Sequence, residues 1–239
     1  RSTLFPYTTL FRSAGIAKAK DFEAEDLWID IAANSKVDAE RRVEVGDYIT
    51  YQTQPNCLNG NVWSSKALDD KVGLLTLIEV AKKMKDKQPV MDVYFVVSVQ
   101  EELGARGIRT ATMHIQPDYG VAIDVTHATD YPTCSPQKSG EIKIGDGIVI
   151  AKGPNIEPSL ERKLIDLAKH SEIKYQIEPI ARPTGTDANF MQVSGKGVKT
   201  ALLSIPCRYM HSPNEIVSLL DVAECVRLLT VLCGIDLDK

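Results

Sequence analysis

The chain has 239 residues, 44% of them hydrophobic and 25% charged, with 28 Lys and Arg against 32 Asp and Glu for a net charge of -4. This is the composition of a globular core with a mildly acidic surface. It argues against nucleic acid as the main partner, because phosphate binding needs clustered cations, and against a membrane, because the longest apolar runs fall well short of the ~20 residues of a span. Five scattered cysteines with no Cys-x-x-Cys suggest neither a disulfide framework nor a thiolate zinc site, so a reduced, cytoplasmic compartment is expected.

Residues 1–13 resemble the in-frame translation of a sequencing adapter. They lack a starting Met, and Pro6 and the threonines interrupt any apolar stretch that a leader peptide would need. We expect them to be an artefact joined to a longer protein whose own start lies upstream. Residues 14–65 read as the remnant of a small β-rich, dimerisation-type domain. Leu27 to Ile31 and Val43 to Thr53 are strand-like, Ser35 is placed to cap one or two helical turns, and Asn59-Gly60-Asn61 signals a turn.

From 66 to 239 we expect an α/β catalytic domain lacking its N-terminal part. Val72, Leu75, Ile78, Val80, Ala81 and Met84 recur at helical spacing after Asp70. Met91 to Val99 is an apolar, β-branched run, the pattern of a strand buried on both faces. Gly107 to Ile115 reads as a helix and Tyr119 to Val125 as a strand. Glu141 to Ala151 reads as a strand or hairpin broken at Gly145-Asp146-Gly147. Pro158 to Ser171 is helical, Tyr175 to Ile180 a strand, Thr186 to Val193 helical and Val198 to Ser204 a strand. Ser218 with Asp221 starts a last helix in capping-box fashion, and it runs to Cys233. The alternation predicts an α/β fold, a mostly parallel sheet flanked by helices.

In such sheets ligands bind beyond the carboxyl ends of the strands. Glu101 and Glu102 follow the first buried run, Asp124 ends the second, His211 follows the last, and Asp69-Asp70 precede the first helix. Singly, each has a plain structural explanation: a solvated pair, a helix cap, a satisfied histidine. Packed together, the carboxylates repel unless a counter-charge is present. A divalent metal pair supplies one, and oxygen and imidazole donors without thiolate suit Zn, Co or Mn. Adjacent glutamates then divide the work, one binding metal and one taking a proton.

Five segments, Ala67-Leu-Asp-Asp-Lys-Val-Gly73, Gln100-Glu-Glu-Leu-Gly104, Ala122-Ile-Asp-Val-Thr126, Thr184-Gly-Thr-Asp-Ala188 and Arg208-Tyr-Met-His-Ser-Pro-Asn-Glu215, occur in the order of one family. Together they resemble the two-metal aminopeptidases that form tetrahedral (TET) particles, often labelled glutamyl aminopeptidase or, in older usage, endoglucanase. The resemblance implies a two-metal exopeptidase fold, peptide substrates, two divalent ions and a homo-oligomer built from dimers, up to a dodecamer. It implies that Asp69 bridges both metals, with a cis Asp69–Asp70 peptide, that Glu102 and His211 bind one metal and Asp124 the other, and that Glu101 is the general base. Thr186, Asp187 and Ala188 either line the substrate pocket or simply cap a helix. Arg208 and Tyr209 either support the site or merely pack. The family's remaining ligand is a His in a His-x-Asp motif that nothing here matches. His114, His127 and His170 read as structural or exposed, and the motif is expected upstream. The chain alone is therefore expected to have little activity. Other readings are a deacylase or carboxypeptidase of the same fold, a glycoside hydrolase using paired carboxylates, and a non-catalytic fragment.

Overall fold

The computed structural model describes residues 28–132, 134–235 and 237. The adapter-like residues 1–13 lie outside them. The chain divides into two units, Arg1–Thr53 and Gln54–Lys239.

Within the first unit, α1 (Lys36–Glu40) forms where Ser35 was expected to cap. The Ser35 hydroxyl accepts from the Asp38 N–H at 3.2 Å. The strands expected at 28–31 and 43–53 do not form. A strand needs a ladder partner and a face to bury, whereas Trp28, Val45, Tyr48 and Ile49 are all exposed.

The second unit is built on a mixed seven-stranded sheet of β1 (Asn56–Asn59), β2 (Val62–Ser65), β3 (Tyr119–His127), β4 (Ile148–Lys152), β5 (Tyr175–Pro179), β6 (Lys199–Arg208) and β7 (Glu215–Ser218). Its order is β1-β2-β7-β6-β4-β5, with β3 on the other edge of β6. The longest ladders are parallel. β3 matches β6 over nine positions, from Tyr119 opposite Lys199 to His127 opposite Cys207, and β4 matches β5 over five. The pairings of β6 with β4 and β7, and of β2 with β1 and β7, are antiparallel. The α/β class is as expected, and the hairpin at Gly60-Asn61 adds the antiparallel edge.

The strand β6 runs four residues beyond the expected Ser204. Pro206 falls where the β4 contact at 203–204 has ended and the β7 contact at 207–208 has not begun, so its missing N–H costs no ladder bond there. From Thr200 to Cys207 every residue is buried. The helices α2 (Leu68–Met84) and α5 (Pro158–His170) each pack on α7 (Leu219–Leu232), and all three pack on the sheet. A separate pair, α3 (Arg106–Ile115) and α6 (Asp187–Gln192), packs together, with α6 also against β3 and β6. A single turn, α4 (Pro136–Ser139), sits in the loop after β3. Ile148, Ile150, Leu160, Leu164, Leu203, Ile205 and Leu228 form the driest part of the core. No helix among the described residues is long and apolar enough to cross a membrane.

The clearest departure from expectation is the run 91–99. It is irregular and joins no ladder among the described residues. Tyr94, Val97 and Val99 are 63%, 62% and 65% exposed. Its composition has the hydrophobicity of a central strand, but no neighbouring strand is paired with it. Likewise 141–147 stays irregular, and only Ile148–Lys152 enters the sheet.

Candidate active site

Four segments build the site: three bring acidic side chains to one cavity of about 800 Å³, and the fourth brings His211 against two of those carboxylates. The first is the start of α2, where Ala67 takes a left-handed φ of 51° and Asp69 and Asp70 depart from helical angles. The Asp69–Asp70 peptide is cis, as the resemblance implied. The Asp70 carboxylate folds back over Gly73, accepting its N–H at 2.9 Å. A side chain at 73 would collide with that carboxylate, which is why Gly is needed there. The second segment is the turn after 91–99, where Gln100 also has a positive φ of 59°. The third is β3, whose Asp124 accepts the N–H of Val125 at 2.8 Å. The fourth is the β6–β7 loop, with positive φ at Tyr209 and His211.

Asp69, Glu102 and His211 come together. His211 Nε2 is 3.0 Å from Asp69 Oδ2 and 3.5 Å from Glu102 Oε1. One ligand atom from each lies within 4.8 Å of the others. Donors about 2.0–2.2 Å from a tetrahedral ion stand roughly 3.3 Å apart, so the three fit a single divalent cation with a position left open. No other group of three such donors assembles among the described residues. Asp124 lines the same cavity, as do Asp69, Asp70, Glu101 and Glu102.

The electrostatics match a site built around a cation. Burial, followed by mutual repulsion, pushes the Asp69 carboxyl up to about 6, with Glu102 and Glu215 as its nearest repelling charges. Asp70 is pushed up to about 9, by burial and then Asp124. Asp124 rises to about 8 despite the hydrogen bond from Val125. Glu101 rises to about 7, by burial and then by Asp187 and Glu102. Low-dielectric surroundings and like charges both disfavour ionisation, and a divalent ion would reverse both.

Of the four residues considered for substrate, Asp187 alone lines the cavity. Ser98 donates to its Oδ2, while its Oδ1 is buried with no hydrogen-bond partner among the described residues. Thr186 caps α6, accepting from Ala188 N at 3.3 Å, and pairs with the Thr184 hydroxyl. Ala188 is fully buried. Arg208 turns its guanidinium onto Asp130, with Nε 2.8 Å from Oδ1 and Nη2 2.6 Å from Oδ2, a two-pronged pairing. Beside it the rings of Tyr131 and Tyr209 pack 4.7 Å apart. His114 and His170 are exposed on helices, and His170 Nδ1 lies 2.7 Å from the Asp166 carbonyl. His127 ends β3 close enough to His211 to lower its pKa, after burial.

A family model described as M42 glutamyl aminopeptidase matches residues 7–228. The chain belongs to the M42 glutamyl aminopeptidase family. Among M42 relatives, the lysyl aminopeptidase of Pyrococcus furiosus is 39% identical over 225 residues, covering 90% of this chain and 62% of its own length. The TET aminopeptidase of a Thaumarchaeota archaeon from marine sediment superposes with a TM-score of 0.85 at 32% identity, over 90% of this chain and 61% of that one. The TET1 peptidase of Pyrococcus horikoshii does so at 0.75 and 32% identity, over 92% and 66%. The chain thus spans about three fifths of the length of the curated relatives it matches. M42 membership goes with the use of divalent metal.

Two partners escaped the sequence reading. Ser98 lies inside the apolar run, and its pairing with Asp187 joins residues 89 apart. Glu215 was visible only as the end of a motif. In the structure it is buried and accepts the backbone N–H groups of Asp69 and His211.

Proposed function

We propose that this chain is the larger part of a metal-dependent aminopeptidase that removes residues from the amino terminus of peptides. The observation that carries the reading is the convergence of Asp69, Glu102 and His211, two of which line a cavity together with Glu101. Asp69, Glu102 and His211 would hold one divalent ion, and Asp124, with Asp69 shared, would contribute to a second; zinc, cobalt or manganese suits the donors. Such ions, when bound, lower the pKa of a water and polarise the scissile carbonyl. Glu101, raised to about 7, is matched to take the attacking water's proton near neutral pH and to pass it to the leaving amine. Asp187 offers a carboxylate toward the substrate's ammonium group, Thr186 and Ala188 shape the backbone that presents it, and Arg208 braces the loop through Asp130. The TET1 peptidase of Pyrococcus horikoshii can assemble into a tetrahedron or a large octahedral shell, which supports a homo-oligomer here; that it is built from dimers follows from the family resemblance alone. The free cysteines fit a cytoplasmic setting.

Metal uptake tests the reading. The 239-residue chain equilibrated with Zn²⁺ should retain at least one ion per molecule, and His211→Ala should abolish it. A chain that retains none above background overturns the proposal. Because Asp124 has fewer partners than the first group, hydrolysis of an aminoacyl p-nitroanilide by this chain alone should be slow. Full turnover would overturn that expectation.

A further inference from the structure

Glu215 opens β7, where it pairs with Ser65 of β2, and it is only 2% exposed. Its two oxygens serve two segments far apart in sequence. Oε2 accepts the Asp69 N–H at 3.0 Å, and Oε1 accepts the His211 N–H at 2.8 Å. Those two residues are the pair whose side chains meet at 3.0 Å. Neither N–H lies in a strand ladder, and His211 sits at a positive φ of 60° that a non-glycine residue adopts only when its surroundings hold it there.

We infer that Glu215 is a positioning residue. One buried carboxylate ties the backbones of Asp69 and His211 to a common point on the sheet and so fixes the spacing of the two ligands. The chemistry calls for glutamate. Both partners are donors, and a carboxylate offers two acceptor oxygens where glutamine offers one oxygen and an NH₂ that would face an N–H. Bonds from N–H to an ionised oxygen are also the stronger kind, which suits a clamp that must hold an unfavourable φ. The inference rests on the metal reading of the site, and it adds to the ligands a residue that touches no ion itself.

The test uses the full 239-residue chain and two measurements. In the metal-free protein, the amide hydrogens of Asp69 and His211 should be protected from exchange, because both are bonded inside the fold. Exchange of either at the rate of a free peptide overturns the inference, and this arm needs no variant. In Glu215→Gln, Zn²⁺ affinity should fall roughly 10–100-fold, the range seen when a partner that orients ligands is lost. The visible absorption of the Co²⁺-loaded variant should also shift, since it reports ligand geometry and not overall folding. A folded Glu215→Gln protein with unchanged Zn²⁺ affinity and an unchanged Co²⁺ spectrum overturns the inference alone. A wild-type chain that takes up neither metal overturns the metal reading and the inference with it.

Discussion

Asp70, Glu101 and Asp124 are held at about 9, 7 and 8 by burial and by neighbouring carboxylates, well above the ordinary carboxylate range. A carboxyl whose folded pKa is raised favours the folded state at low pH, where it is protonated. That contribution is lost as pH climbs through the folded value. With chelator present, the thermal unfolding midpoint should therefore fall by several degrees between pH 5.5 and pH 8.5, and Zn²⁺ at pH 8 should restore it. A midpoint that rises over that range without metal would contradict the charge assignment. Glu101→Gln should raise the metal-free midpoint at pH 8 by a degree or more, because it removes one of the repelling charges. It should leave Zn²⁺ uptake intact, because Glu101 is not one of the three converging donors. Loss of uptake in this variant would move Glu101 into the ligand set. At this scale the sequence was informative where side chains act through their own chemistry: Asp69, Glu101, Glu102, Asp124 and His211 do share one cavity or one cluster. Glu215 stayed hidden because its partners are backbone N–H groups, which every residue carries.

Elements bounded by local signals were legible. Ser35, Thr186 and Ser218 each cap the helix expected after them, and Pro158 sits in the first turn of α5. The start of α7 shows the limit of such reading. Ser218 accepts from Leu220 N at 3.2 Å, but Asp221 does not complete a capping box. It is fully buried and accepts the N–H of Gly145 at 2.7 Å and of Gly147 at 2.8 Å. That loop needs the clamp, because Gly147 has a φ of 104° and any side chain there would strike the Lys174 carbonyl. Asp221→Ala strands one buried and one half-buried donor and should cost about 2–4 kcal/mol, a fall of roughly 5–15 °C in the unfolding midpoint for a chain of this size. A loss below 2 °C would show that water or a backbone shift satisfies the loop instead. The expected strand at 91–99 failed for a reason no local pattern carries: strand propensity describes a surface that fits a neighbour, and the ladder requires the neighbour to be there.

Across the larger unit, the parallel ladder of β3 on β6 and the apolar run 91–99 have different standing. The first is buried and paired along nine positions. The second leaves Tyr94, Phe95, Val97 and Val99 in contact with water. An exposed apolar segment outside any ladder is a surface on which another chain can bury itself. The sedimentation coefficient of the purified chain should therefore increase with concentration, and Val97→Lys should reduce that dependence. Equal behaviour of the two proteins would place self-association elsewhere.

The β3–β6 register also governs what kind of error the site can suffer. Asp124 faces the cavity from a strand whose side chains alternate between faces, and it lies opposite Ser204. A slip of one residue would turn Asp124 to the other side of the sheet, so the site has no slightly loosened version reachable by register shift. The three converging donors Asp69, Glu102 and His211 lie on other segments. On the metal reading, a misregistered chain would then keep the donors of the first ion and lose Asp124 from the second, so the two ions would fail separately.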